Sequence, residues 1–327
     1  MVRETFSDLL GQETAVDLLC QAIAKQRIAP AYLFAGPAGT GRRLAAIRFA
    51  ECLLHPSWME TDGKRLHGHN ADPQVLRRRI QDRNHPDLMW VEPTYLHKGK
   101  PITAAEAVTL DLKRRSPPQI RLEQIRDITR FLARPTLESS RAVVVVEGAE
   151  TMAEAPANGL LKTLEEPGKA TLILLATDSA NLLPTIVSRC QTIPFRRLPS
   201  KTLATILTQA GHSAILHQQS VLEMAQGSPG QAIAAWEQLQ TLPAELLSSL
   251  KTPPSSLIQA LNLARRISKE IDTESQLWLV EYLQHHAWQT QRSPVILAAL
   301  EKARLHLRRF VQPRLVWEVT LMSFLEE

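Results

Sequence analysis

The sequence predicts an α/β domain built on a parallel sheet, followed by an all-α region, and three observations lead there. Short apolar runs alternate with helical patterns up to about residue 194. A glycine-rich loop stands between the first such run and a helix, which is the context of a phosphate-binding loop. Beyond residue 200 the strand-like runs stop and only helical patterns remain. Strands that alternate with helices imply a parallel sheet covered on both faces.

The elements follow in order. Residues 14–25 place Ala15, Leu18, Leu19, Ala22 and Ile23 at helical spacing. Ala31-Tyr32-Leu33-Phe34-Ala35 reads as a strand running into Gly36-Pro37-Ala38-Gly39-Thr40-Gly41-Arg42-Arg43, and residues 43–54 as the helix after it. Strand 88–91, helix 122–133, strand 142–146, helix 155–164 and strand 171–176 continue the alternation, and 192–195 is a last strand-like piece. Residues 97–118, with Lys, Pro and Gly, are expected to form an inserted surface loop. Helices are then expected at 201–210, 220–226 and 231–240, punctuated by Gly227-Ser228-Pro229-Gly230. After Thr252-Pro253-Pro254, longer ones follow at 255–271, 274–289 and 294–310, with another from Pro313. The expected domains are 1–195 for the nucleotide-type fold, 196–246 for a small helical domain and 247–327 for a second helical domain.

Bulk properties narrow the class. The 327 residues are 44% hydrophobic and 22% charged, enough for sizeable cores and unlike a disordered chain. The balance of 38 Lys+Arg against 33 Asp+Glu gives +5, compatible with polyanion contact without requiring it. Three scattered cysteines, Cys20, Cys52 and Cys190, argue against a disulfide framework and for a reducing compartment. No apolar run reaches membrane-spanning length, and the N-terminus resembles neither a signal nor a transit peptide. A cytoplasmic protein without membrane contact is expected.

The glycine loop keeps its backbone and loses its chemistry. Glycines let backbone N–H groups approach phosphate at a helix N-terminus, and Gly36, Gly39 and Gly41 are in place. A working loop also needs a Lys for the terminal phosphates and a hydroxyl for Mg²⁺. Arg42 and Arg43 stand there instead. The Arg fork is longer than a compact ammonium, and Arg43 cannot ligate a cation. After the four valines 143–146, an ATPase would carry Asp-Glu, whereas this chain has Glu147-Gly148. Glu147 can still reach a metal, but Gly148 has no side chain to act as base. With the Lys, the hydroxyl and the base gone, hydrolysis is not expected. The loop remains either a tight structural turn, the preferred reading, or a cradle that binds nucleotide without turning it over.

Arg189, in Ser188-Arg189-Cys190, follows a short helix led by Leu182-Leu183-Pro184-Thr185-Ile186. That position puts its guanidinium on an exposed edge of the first domain. Two readings stand side by side: a surface ion pair, or an arginine that stabilises the phosphoryl group in a neighbour's site.

Taken together, these residues resemble the clamp-loader branch of the AAA+ proteins, and within it the delta-prime subunit family of bacterial DNA polymerase III. Phe6-Ser7-Asp8-Leu9-Leu10-Gly11-Gln12 is similar to the family's opening box, and Asn84-His85-Pro86-Asp87-Leu88 to the entry to its second strand. Arg121-Leu122-Glu123-Gln124-Ile125-Arg126 resembles the helix that follows. The most specific blocks are Asn158-Gly159-Leu160-Leu161-Lys162-Thr163-Leu164-Glu165-Glu166-Pro167 and Leu183-Pro184-Thr185-Ile186-Val187-Ser188-Arg189-Cys190-Gln191. Residues 227–232 resemble the motif of the lid domain, and the segment 91–97 resembles cyanobacterial members.

The resemblance implies an AAA+ domain, a helical lid and a helical collar. It implies that Arg189, with Ser188 beside it, is the arginine finger offered to the ATP of an adjacent motor subunit. The implied partners are the tau/gamma ATPase subunits and the delta subunit in a hetero-pentamer, the sliding clamp, and primer-template DNA. The chain itself would carry no ATPase or polymerase activity and no cofactor of its own, as an accessory subunit of the polymerase holoenzyme in DNA replication. Thr177 lies near the family's first sensor position, and Gly230 stands where motor subunits carry an Arg.

One departure concerns zinc. Many relatives have a four-cysteine module after the first helix, whereas this chain has Cys52, His55, His67 and His69 without paired cysteines, so no metal is expected. Arg77-Arg78-Arg79 and Lys113-Arg114-Arg115 read as solvated faces, with DNA contact the sharper alternative. Trp278, Trp288 and Trp317 read as core or collar packing. Two rival functions differ in class. An ATP-hydrolysing motor subunit is disfavoured by Arg42, Arg43, Gly148 and Gly230. A stand-alone AAA+ DNA-binding adaptor is disfavoured by the collar-like segment 311–318.

Overall fold

A computed structural model describes residues 2–55, 72–110, 117–290 and 293–325. The chain divides into two compact units, Met1–Thr202 and Leu203–Glu327. The strands of the first unit are β1 (Ala31–Ala35), β2 (Leu88–Val91), β3 (Tyr95–His97), β4 (Lys100–Ile102), β5 (Ala142–Glu147), β6 (Ala170–Ala176) and β7 (Gln191–Pro194). Five of them form one sheet in the order β2-β5-β6-β1-β7, parallel throughout. The helices here are α1 (Val2–Thr5), α2 (Glu13–Ala24), α3 (Arg42–Leu54), α4 (Pro73–Gln81), α5 (Ala104–Thr109), α6 (Leu122–Leu132), α7 (Glu154–Glu165) and α8 (Pro184–Val187).

Alternation along each strand divides the core in two. Tyr32, Phe34, Val143, Val145, Ile173 and Leu175 join Phe49 and Leu53 of α3 and Leu19 of α2 on one face. Leu33, Val144, Val146, Leu172 and Leu174 point the other way, to Ile125 and Ile128 of α6 and Leu160 of α7. A strand buried on both faces must be apolar at every position. That is why β5 is a run of valines and β6 is buried from end to end. The parallel arrangement brings the carboxyl ends of β1, β5 and β6 to one edge, where ligands of such sheets bind.

The segment expected as an inserted loop has structure of its own. β3 and β4 form an antiparallel hairpin through Lys98-Gly99, both at positive φ (49° and 78°), the conformation a two-residue type I′ turn requires. Thr94 and Gln119 exchange backbone hydrogen bonds of 3.0 Å each way and close its base. Helix α5 starts with a capping box: the Glu106 carboxylate accepts from the Thr103 N–H at 2.7 Å while Thr103 Oγ1 accepts from the Glu106 N–H at 3.2 Å. Those backbone and hydroxyl donors hold the Glu106 carboxyl below its ordinary range.

Asp87 organises the approach to β5. Its buried carboxylate accepts the N–H groups of Leu137, Glu138 and Ser139 at 2.7, 2.8 and 2.7 Å. The arginines 77–79 of α4 are all paired within the chain, Arg77 with Glu51 at 3.2 Å, Arg78 with Asp82 at 3.7 Å and Arg79 with Glu138 at 2.7 Å. Residues 113–115 lie outside the described residues.

The second unit is helical: α9 (Ser200–Gln209) leads into it, then α10 (Gln219–Ala225), α11 (Pro229–Thr241), α12 (Ala244–Leu250), α13 (Leu257–Glu270), α14 (Thr273–Thr290), α15 (Pro294–Arg308) and α16 (Pro313–Ser323) follow. Its apolar residues form one cluster within 203–235 and a larger one within 242–324. Trp317 is fully buried in the larger cluster and donates from Nε1 to Gln276 at 2.9 Å, while Gln276 donates to the Ile271 carbonyl at 2.8 Å. Trp278 is half-buried and stacks on Tyr282 at 5.4 Å. Of the two readings for Trp288, core or collar packing, the core one does not hold: it is exposed, near the C-terminal end of α14. Among the described residues no helix is long and apolar enough to cross a membrane.

Removing the Asp87 carboxylate leaves three N–H groups of residues 137–139 without their acceptor, the one on Ser139 buried. Asp87→Ala is expected to lower stability by about 3 kcal/mol, and Asp87→Asn, which keeps an acceptor, by less. The urea midpoint of unfolding checks both.

Candidate functional site

The glycine loop is fixed by the segments around it. Gly36 follows β1 and donates to the Ala176 carbonyl at 3.2 Å, while the Phe195 N–H donates to Ala35 at 2.7 Å. A Cβ at Gly36 would come within 2.2 Å of the Phe195 carbonyl oxygen, so the close approach of two backbones requires glycine there. Gln12 is buried and ties the loop down, donating to the Thr40 carbonyl at 3.0 Å and to the Arg196 carbonyl at 2.7 Å. The opening segment is held by α3: the buried Arg48 pairs with Asp8 at 2.5 Å and with Glu51. Gly41 caps α3 in the left-handed region (φ 102°). The backbone cradle of a phosphate loop is therefore present.

Its side chains are turned to each other. Glu147, at the end of β5, accepts from the Trp90 indole N–H at 3.1 Å, and the Arg43 guanidinium lies 3.8 Å from the same carboxylate oxygen. Trp90 is flanked by two cations, Arg43 at 5.6 Å and Arg83 at 5.3 Å from the ring centre, and Arg83 is paired with Glu92 at 2.9 Å. Burial pushes the Arg42 guanidinium below its ordinary range, against the opposing pull of Glu150 and Glu147. Glu150 also accepts from the Thr177 N–H at 3.1 Å and its hydroxyl at 2.7 Å, so the residue at the sensor position is engaged within the chain.

These residues do not fit a magnesium nucleotide. The carboxylate that would face the metal faces Arg43, and the residue after it, Gly148, is left-handed (φ 62°). A Cβ on Gly148 would lie 2.9 Å from Pro93 Cγ. The backbone there is shaped for glycine and not for a base-bearing residue.

Arg189 follows α8, whose last turn ends at Ser188. Its Nε and Nη2 donate to one oxygen of Glu165, at 3.1 and 2.7 Å, and Nη1 donates to the Thr185 carbonyl at 3.0 Å. The Ser188 hydroxyl donates to that same carbonyl at 3.1 Å. Arg189 and Glu165 are both exposed. The neighbouring Cys190 thiol is pushed up to about 12 by burial, which makes it a packing group and not a nucleophile. The structure thus gathers Gly36, Gly39, Gly41, Arg42, Arg43 and Glu147 at the loop and sets Ser188 and Arg189 on the α8 turn.

The four residues weighed as metal ligands, where no metal was expected, divide between described and undescribed positions. Cys52 is buried and its thiol is driven far up, chiefly by burial; burial also lowers His55. His67 and His69 lie outside the described residues. Sequence reasoning missed Trp90, Arg83, Glu150 and Glu165. Two of these had a signal in the sequence: Glu150 is an acid three residues past Glu147, and Glu165 lies in the 158–167 block.

Restoring one residue does not restore the site. Gly148→Glu is expected to leave ATPase at background and to destabilise the chain by about 1–2 kcal/mol, because the left-handed backbone disfavours any Cβ. A phosphate-release assay and a melting curve check the two halves.

Two family models match the chain. One, described as DNA polymerase III, delta subunit, matches residues 11–199, and another, described as the cyanobacterial DNA polymerase III delta prime, C-terminal domain, matches residues 201–324. The chain is 34% identical over 196 residues to the DNA polymerase III subunit delta' of Bacillus subtilis, covering 59% of this chain and 50% of that one. It is 32% identical over 216 residues to the delta' subunit of Pseudomonas aeruginosa, covering 60% and 58%. The chain thus spans about half the length of these curated relatives. A crystal structure of a gamma subunit-related DNA polymerase III protein from Thermotoga maritima superposes with a TM-score of 0.55 over 96% of this chain and 99% of that one, at 16% identity, a likeness of fold. The parallel sheet with its degenerate glycine loop, the helical second unit and the matched models agree: the chain belongs to the DNA polymerase III delta-prime subunit family, the clamp-loader branch of the AAA+ proteins.

Proposed function

We propose that this chain is a non-hydrolysing delta-prime subunit of a cytoplasmic clamp loader, which lends Arg189 to the ATP of a neighbouring motor subunit. One contrast carries the reading. The carboxylate beside the chain's own glycine loop is engaged within the chain by Arg43 and Trp90, while the exposed Arg189 fork, though paired with Glu165 at 2.7 Å, keeps donors to spare. A guanidinium has five N–H groups, and three are engaged here, which leaves one on Nη1 and one on Nη2. Two adjacent N–H groups on one charged fork suit the oxygens of a phosphoryl group in transfer.

In this reading the partners are tau/gamma ATPase subunits and a delta subunit in a hetero-pentamer. The assembly opens a sliding clamp and sets it on primer-template DNA, which it holds by backbone contacts that are salt-sensitive and blind to sequence. The chain brings no cofactor and no catalytic base. Its chemical contribution is one positive charge, placed across a subunit boundary.

The test is a reconstituted loader carrying Arg189→Ala in this subunit alone, with assembly checked by gel filtration. DNA-stimulated ATP hydrolysis is expected to fall by about tenfold or more, since a trans arginine is worth several orders of magnitude at the site it serves. Arg189→Lys should recover little, because an ammonium lacks the planar fork. Unchanged hydrolysis and clamp loading in the intact complex would sink the finger reading. In a separate titration, the isolated chain should show no saturable binding of a fluorescent ATP analogue at concentrations that fill a motor subunit.

A further inference from the structure

The Arg189 side chain is held in place from inside the chain, and the holder is a residue for which neither the fold nor the loop has a use. Glu165 is the last residue of α7, and its side chain is exposed. One of its carboxylate oxygens accepts from both Nε and Nη2, while the Thr185 carbonyl accepts from Nη1. Three contacts from two elements, α7 and α8, fix the plane of the guanidinium. An arginine at a surface otherwise samples many rotamers, and ordering it at the moment of use costs entropy.

We propose that Glu165 is a positioning residue for the trans arginine: it pre-orients the Arg189 fork and stays bound to it during catalysis in the neighbouring site. This rests on the finger reading above. The choice of positioning over restraint comes from the donors. Glu165 takes one hydrogen each from Nε and Nη2, so the second Nη2 hydrogen and one on Nη1 remain to meet a phosphoryl group. The arginine can serve its neighbour without leaving Glu165.

The experiment uses the same reconstituted loader with Glu165→Ala, Glu165→Gln, Glu166→Ala, Arg189→Ala and the Glu165→Ala/Arg189→Ala pair in this subunit. Glu165→Ala should lower the turnover rate of DNA-stimulated hydrolysis about three- to tenfold, with the KM for ATP and the amount of subunit incorporated unchanged. Glu165→Gln, which keeps an accepting oxygen, should recover most of that loss. Glu166→Ala, which removes an exposed neighbouring acid, should match the unaltered loader. The double variant should fall no further than Arg189→Ala alone. If Arg189→Ala is slow while Glu165→Ala is as fast as the unaltered loader or faster, the positioning inference is overturned and the finger reading stands. If Arg189→Ala itself changes nothing, both fall. A loss in Glu165→Ala that Gln fails to restore, or that tracks poorer incorporation, makes Glu165 a structural residue and overturns the proposal as well.

Discussion

The ion pair between Arg43 and Glu147, with the Trp90 indole bonded to the same carboxylate, is the contact around which the carboxyl edge of the sheet is arranged. In a working phosphate loop that carboxylate and a hydroxyl share a divalent cation. Here the chain supplies its own monovalent cation on a side chain that is already part of α3. Everything nearby is consistent with a site closed on itself. Thr177 is held by Glu150, Arg83 lies over the Trp90 ring, and Gln12 staples the loop to the segment after β7. The glycine loop survives because the backbone needs it, since the chain after β7 passes too close to Gly36 for any side chain.

The same sheet that keeps this loop rigid also displays the second site. β6 and β7 are joined through α8, and the turn that ends α8 presents Ser188 and Arg189 to solvent while Ile186 anchors it in the core. An arginine meant to act on a group outside the chain needs a stiff mount and an open approach. A four-residue helix, packed on one side and exposed on the other, supplies both. The division of labour between a closed loop and an open arginine follows from which side chains stand at the ends of the strands.

Much of the fold was legible because parallel strands leave a strong mark. A strand buried on both faces is apolar nearly throughout, so 143–146 and 172–176 stand out against any helical pattern, and the glycine loop fixes where the first strand ends. The loss of the catalytic residues at 42, 43 and 148 was legible too, since it is a matter of residue type. The pairs that define the sites were not. Glu147 meets Trp90, 57 residues away, and Arg189 meets Glu165, 24 residues away, and neither partner carries a local sign of the other. The hairpin at 95–102 is a different case. Its turn depends on Lys98 accepting a left-handed conformation that few non-glycine residues adopt, so Lys-Gly is a weaker hairpin signal than Asn-Gly. The Thr103–Glu106 capping box that follows it had a readable signature.

The chain's thiols are chemically quiet. Burial raises Cys20 and Cys52 as well as Cys190, which leaves little thiolate on any of them at neutral pH. The β3–β4 hairpin, by contrast, stands clear of the sheet with its base clamped by Thr94 and Gln119, and Lys100 on it is exposed. A cysteine placed at position 100 would therefore be the fastest-reacting thiol among the described residues. A maleimide dye there would label the subunit chiefly at one known point on the hairpin. The hairpin offers a ready attachment point for watching this subunit move, one molecule at a time.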